Sequence, residues 1–138
     1  MKILTSNFSS VKKFPLTKFL PIGIAQWPPK FFTGESLKQL APPDFLIRGY
    51  KSGNIDNDEY VLQYNKHILK NLDIPALIET LQKMCGQRIP VLCCYEKSGD
   101  FCHRNLVAMH LRSHGHDTHE ATAEDINPSQ SQCSLLEM

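Results

Sequence analysis

The feature that most restricts what this chain can fold into is the apolar run Pro90-Val-Leu-Cys-Cys-Tyr95, with the polar stretch that follows it. Its residues do not alternate between apolar and polar, so as a strand it has both faces buried, which is the mark of a parallel sheet covered on two sides. The polar segment Glu96–Asp100 follows, and then a helical pattern that opens on Cys102-His103-Arg104 and stops at Gly115. Reactive side chains therefore collect where a buried strand hands over to a helix.

The flanking text supports the same architecture. Lys2–Thr5 and Pro21–Gln26 read as strands, the second closed abruptly by Pro28-Pro29. Asp56–Leu72 reads as a helix capped by Asp56 or Asn57, with Val61, Leu62, Ile68, Leu69 and Leu72 on its inner face. Asp73-Ile-Pro75 opens another helix, whose Leu77, Ile78, Leu81 and Met84 face the core and which Gly86 ends. Asp100 is the expected cap of a helix over Phe101–His114, and Asp117–Thr122 is a short final strand. Residues 30–53 read as irregular, with a short helix at Ser36–Leu40, a connection of the length used for lids and binding loops. The expectation is one three-layer α/β domain over residues 1–122, with a small, mostly parallel, Rossmann-like sheet and helices on both faces, and a disordered tail over 123–138.

Composition narrows the class. At 138 residues, 41% apolar and 21% charged, the chain suits a single globular core, and no apolar run reaches membrane length. The first residues lack a signal-peptide pattern, so the expected location is the cytoplasm. Five cysteines, two of them adjacent inside an apolar run, suit reduced thiols better than a disulfide framework. Net charge is +1, yet residues 1–51 hold eight Lys/Arg against two acids, and the remainder seven against twelve. A basic first third is compatible with phosphate or nucleic acid, and equally with solvated surface lysines.

In open parallel sheets, ligands bind beyond the carboxyl ends of the strands, here Ser6-Asn7, Gln26-Trp27 and Tyr95-Glu96. Cys102 falls at a helix start, where free N–H groups and the helix dipole favour a thiolate, and His103 beside it can act as a base. Arg104 in a first turn opposes the dipole, so an anion belongs beside it: Glu96 or Asp100 in one reading, a bound phosphate or carboxylate in the other. Cys94 shares a strand side with Glu96, a candidate acid/base, while Cys93 points the opposite way into core. The candidate catalytic set is Cys102, His103, Glu96 and Cys94, and the candidate ligand contacts are Arg104, Ser6, Asn7, Gln26 and Trp27. Cys94, Glu96, Cys102 and His103 include zinc-ligand types but lack paired Cys-x-x-Cys spacing, so no metal is assigned and zinc stays as an alternative. The His110, His114, His116 and His119 cluster reads as surface histidines near a helix end. A cysteine phosphatase is excluded by spacing, since Cys94 and Arg104 are too far apart for its anion loop and Cys102 and Arg104 too close.

The segment Leu92–Val107, with Cys94-Tyr-Glu96-Lys and Cys102-His-Arg104, resembles the signature of domain-of-unknown-function family 488. Thr5-Ser-Asn-Phe8, Pro21-Ile-Gly-Ile24, Gly34 and Leu40-Ala-Pro-Pro43 resemble its N-terminal-variant branch. The resemblance implies a compact cytosolic α/β domain and carries no established reaction. Relatives often have Ser-Arg where this chain has Ala25-Gln26, which removes one anion contact unless Lys30 replaces it. The expected function is an enzyme acting on a phosphorylated or nucleotide-like ligand at the Cys-Glu-Cys-His-Arg site. The alternative is a non-catalytic nucleotide or nucleic-acid binding or sensor domain. An anionic small molecule or nucleotide is the expected partner, with nucleic acid as a second candidate and no membrane.

Overall fold

The computed structural model describes residues 1–96 and 101–128. The central apolar run forms β4 (Ile89–Cys94), and it is paired on both sides. On one side lies β1 (Lys2–Asn7), in register Leu4 to Val91 and Asn7 to Cys94; on the other lies β2 (Phe19–Gly23), with Gly23 opposite Cys93. The two-residue β3 (Glu35–Ser36) extends the sheet beyond β2, and β5 (Asp117–Glu120) pairs with the outer edge of β1. The order is β3-β2-β4-β1-β5, and every pairing is parallel. The mostly parallel sheet expected from the sequence is therefore parallel throughout the described residues.

Side-chain alternation along these strands divides the interior in two. Ile3, Ile22, Leu92 and Cys94 face the larger cluster, which is closed by α1 (Asp44–Ser52), α2 (Asn57–His67), α3 (Ile74–Cys85) and α4 (His103–Ser113). Leu4, Phe19, Val91 and Cys93 face the smaller one, covered by Phe8 and Val11 of the 3-10 helix Phe8–Lys13, by Phe14, and by Ile126 of α5 (Ala123–Ile126). Helical segments thus lie on both faces, with most of the apolar burial on one. No helix among the described residues is long and apolar enough to cross a membrane.

The caps follow the sequence. Asp56 accepts from the Glu59 N–H at 2.8 Å to start α2, and Asp73 accepts from Ala76 N–H at 3.0 Å to start α3. Gly86 ends α3 with φ of +61°, a conformation that costs a side-chain-bearing residue more.

Several boundaries differ from expectation. The second strand starts two residues earlier and ends at Gly23, and beyond Ile24 the residues Ala25–Trp27 turn away to wall the site. The stretch 30–53 is less irregular than its prolines suggest: Pro43 sits at the N-cap of α1, and Gly53, at φ +83°, closes it. The short helix expected at Ser36–Leu40 is one 3-10 turn, Lys38–Leu40. The expected Asp56–Leu72 helix breaks after His67 into the 3-10 turn Leu69–Asn71. Its inner face is also different. Tyr60 and Tyr64 are buried, while Val61 and Leu62 are exposed. Aromatic burial wins because the Tyr64 hydroxyl donates to the Leu40 carbonyl at 2.6 Å and Tyr60 joins Tyr50 and Phe101 in edge contacts. Residues 123–126 form α5 under a Thr122–Asp125 capping box, so order continues past the expected boundary; residues 129–138 of the expected tail, and Asp100 as a cap, lie outside the described residues.

Candidate functional site

Beyond the carboxyl ends of β2 and β4, the chain leaves a cleft of about 680 Å³. The connection after β1 crosses to one side of β4 and the connection after β4 crosses to the other, so the cleft lies where the strand order reverses, the usual ligand crevice of such sheets. Ala25, Gln26 and Trp27 form one wall, and Tyr95 and Glu96, just past β4, another. Tyr50 and Lys51 come from α1 and Tyr60 from α2, and Cys94 and His103 form the floor. Trp27 and Tyr95 are each more than half exposed, and the Tyr95 hydroxyl donates to the Trp27 carbonyl, tying the two walls together. Lys38 anchors the same loop by donating to the Gln26 carbonyl.

Three donor atoms converge at the floor. Cys94 ends β4, Cys102 is the N-cap of α4, and His103 is its first helical residue. Cys102 therefore stands one position before the first turn that the sequence suggested, with extended backbone and no side-chain cap bond. All three side chains are buried, and their Sγ and ring-nitrogen atoms lie within 4.8 Å of one another. The Cys94 and Cys102 sulfurs are in bonding contact while their Cα atoms stand 7.6 Å apart. The picture of separate reduced thiols thus needs correction for this pair, because the end of β4 and the start of α4 aim both side chains at one point. Cys85 and Cys93 are free and buried. Burial pushes the Cys93 thiol up to about 12 despite the charge of Arg104, which leaves it an inert core thiol.

His103 has a defined tautomer. Its Nε2 lies 2.7 Å from the Ile24 carbonyl oxygen, which can only accept, so Nε2 carries the hydrogen. The remaining ring nitrogen, Nδ1, faces Cys102 Sγ at 3.8 Å. Burial lowers its pKa to about 4, a hydrogen bond to Ile24 opposing and the charge of Arg104 assisting, so the ring is neutral at pH 7 with the Nδ1 lone pair toward the sulfurs. Ile24 is itself fixed, its N–H donating to the Cys93 carbonyl at 2.9 Å.

Arg104 lies behind the sulfurs and is fully buried. Its Nε and Nη2 donate to the two carboxylate oxygens of Glu120 at 3.0 and 2.8 Å. Nη1 donates to Cys94 Sγ at 2.9 Å and to the Glu96 carbonyl oxygen at 2.7 Å. Among the described residues the anion beside Arg104 is Glu120, not the Glu96 carboxylate, while the Asp100 expected as the other candidate lies outside them. Glu96 contributes a backbone oxygen to Arg104 and leaves its carboxylate on the cleft side, where its charge adds to burial in raising the Tyr60 hydroxyl. With its guanidinium spent on Glu120, Cys94 and Glu96, Arg104 supports the floor from behind and does not reach the cleft as a ligand contact would.

Of the sequence candidates, the structure brings together Cys94, Glu96, Cys102, His103, Gln26 and Trp27. Ser6 and Asn7 are nearly buried at the end of β1 and are not among the cleft-lining residues; Asn7 Oδ1 instead accepts from Ser9 Oγ at 2.7 Å and Ser10 N–H at 3.0 Å, starting the 3-10 helix. Tyr50, Lys51, Tyr60 and Glu120 were not foreseen. The i,i+4 pair Tyr60/Tyr64 is a readable signal for the α2 wall, since tyrosines at that spacing share a helix face. Nothing in the local text ties Glu120 to Arg104, sixteen residues away.

Taken together, a parallel α/β sheet with a Cys–Cys–His floor at its strand ends defines a small cleft-bearing domain built around a Cys-x-Glu…Cys-His-Arg segment. At the level of sequence, the family model DUF488-N3a, described as the active DUF488-N3 subclade, matches residues 15–115, and the chain belongs to that family. The matched span contains β2, β4, α4 and the cleft, and leaves β1 and β5 on either side of it. No curated protein and no solved structure matches the chain.

Proposed function

We propose that this protein is an enzyme acting on a nucleotide-like or otherwise phosphorylated ligand held in the cleft. The observation that carries the reading is the fixed His103 ring, neutral, with its Nδ1 lone pair turned to the Cys102 sulfur just beneath the cleft that His103 and Cys94 line. Buried polar groups beside a cleft, one of them with a shifted pKa and an oriented hydrogen bond, mark a candidate reaction centre. Trp27 and Tyr95 offer exposed rings for a planar base, and Lys51 offers a cation for its charged part. Cys94, Cys102, His103 and Glu96 stand at the reacting end. The designation of the matching subclade as active points the same way.

The test is a panel of nucleosides, nucleotides and sugar phosphates, screened by thermal shift and then for consumption by chromatography. Nucleotides are expected to raise the melting temperature and to be consumed by the native protein, and Cys102→Ser is expected to keep binding and lose turnover. Binding without consumption by the native protein would identify a sensor domain in place of an enzyme. No shift with any phosphorylated ligand would sink both.

A further inference from the structure

We infer that Cys94, Cys102 and His103 form a three-ligand site for a divalent transition-metal ion, zinc first, with its remaining position open to the cleft. The inference rests on the same cleft being the functional site and names the group at its floor.

Three independent features of the floor agree. The first is the donor set: two sulfurs and one imidazole nitrogen within 4.8 Å of one another, from the end of a strand and the start of the adjoining helix. Thiolate and imidazole donors in that ratio suit zinc, and three protein ligands with an open fourth position are the arrangement of catalytic rather than structural zinc sites. The second is the orientation of His103. Ligating histidines hold their other ring nitrogen on a carbonyl or carboxylate, which fixes the tautomer, and Nε2 of His103 is held on Ile24 in that way. The third is spacing. The Cα atoms of Cys94 and Cys102 stand 7.6 Å apart, wider than the range of about 4.4–6.8 Å that disulfides span, so the backbone holds the pair too far apart for an unstrained covalent bridge. With the pair reduced to thiolates by a thiol reductant, an ion held by both sulfurs spans that separation without drawing the strand end and the helix start together.

Arg104 fits the same site. Its Nη1 at 2.9 Å from Cys94 Sγ is a charged donor to that sulfur, which favours the thiolate a metal requires. Two thiolates would bring two negative charges to the divalent ion, and Glu120 offsets the charge of Arg104 from behind. The cleft-side groups at the open position are then Glu96 and the ligand itself, since Cys94, Glu96 and His103 line the same cleft.

The experiment is metal analysis of the full chain purified under reducing conditions with no chelator and no metal-affinity step. Native protein is expected to carry stoichiometric zinc, and Cys94→Ser, Cys102→Ser and His103→Asn to lose it to background. Cobalt loaded into the chelator-stripped native protein should give the intense visible bands of a four-coordinate site and a thiolate-to-cobalt charge-transfer band. This second reading stands even where a variant fails to fold. Metal-free native protein that takes up no cobalt would overturn the inference, as would zinc retained by all three variants. A native protein lacking metal but still binding nucleotides would remove the metal and keep the cleft; one holding zinc but binding no nucleotide would do the reverse.

Discussion

Arg104 and Glu120 form a two-pronged pair in which Nε and Nη2 of the buried guanidinium donate to separate oxygens of one carboxylate, at 3.0 and 2.8 Å. The Thr5 hydroxyl adds a third bond to the same carboxylate at 2.6 Å. A buried ion pair gives little net stability over an apolar pair of equal size, but losing one member strands the other. Glu120→Ala should therefore cost about 3 kcal/mol or more of unfolding free energy, read by urea denaturation. Arg104→Met combined with Glu120→Leu should cost less than the two single changes summed. Additive losses would show that the two residues do not depend on each other.

Tyr64 presents a cleaner case. Its hydroxyl is buried, its pKa is raised well above the usual value by burial and then by Tyr60, and it donates to the Leu40 carbonyl at 2.6 Å. Tyr64→Phe keeps the ring and leaves that carbonyl without the bond, so a loss of about 1–2 kcal/mol is expected on denaturant titration. An unchanged midpoint would mean that another donor reaches Leu40.

Ligand binding should depend on the cleft rings. If a base stacks on Trp27 or Tyr95, each alanine substitution should weaken nucleotide affinity by about 1–3 kcal/mol, with the melting temperature of the ligand-free protein hardly changed because both rings are more than half exposed. Isothermal titration separates the two effects. Affinity that survives both substitutions would place the ligand elsewhere.

The attachment of α5 should vary with pH in both directions. Asp125 accepts from the Thr122 N–H at 2.8 Å, and His119 Nε2 lies 3.2 Å from it. Burial works to raise the Asp125 pKa, but the Thr122 and His119 bonds outweigh it and hold the carboxyl at about 2. Its contribution is present above the ordinary carboxylate range and fades as pH falls toward that value. Burial works to lower His119, and the Asp125 and Asp117 bonds outweigh it and raise it. Its contribution is present below about pH 6.5 and fades as pH rises through the raised folded value. Amide protection factors in α5 should be largest between those limits, and Asp125→Asn should flatten both arms.

How far the sequence reveals the site depends on the range of the interaction. The non-alternating run at β4, the caps Asp56 and Asp73 and the glycine stops are local chemistry, and they appear in the structure close to where the text puts them. Cys94, Glu96, Cys102 and His103 share one strand–loop–helix unit, so their meeting is local as well. Glu120 is not. It reaches Arg104 because β5 adds beside β1, a pairing set by the whole sheet. The Lys30–Gly53 stretch hides α1 because Pro43 and Gly53, which mark its two ends, look in the sequence like breaks in an irregular loop. The inner face of α2 was misjudged for a related reason: Val61 and Leu62 are more apolar than tyrosine, but Tyr64 has a carbonyl to bond and Tyr60 an aromatic cluster to join.

The position of β5 also bears on how the molecule is born. Cys94, Cys102, His103 and Arg104 all precede Glu120 in the chain, and the strand that carries Glu120 docks against β1. Until β5 emerges from the exit tunnel, Arg104 lacks its Glu120 partner. The support behind the candidate site therefore forms only once β5 is made, and folding intermediates that lack it should be loose around α4.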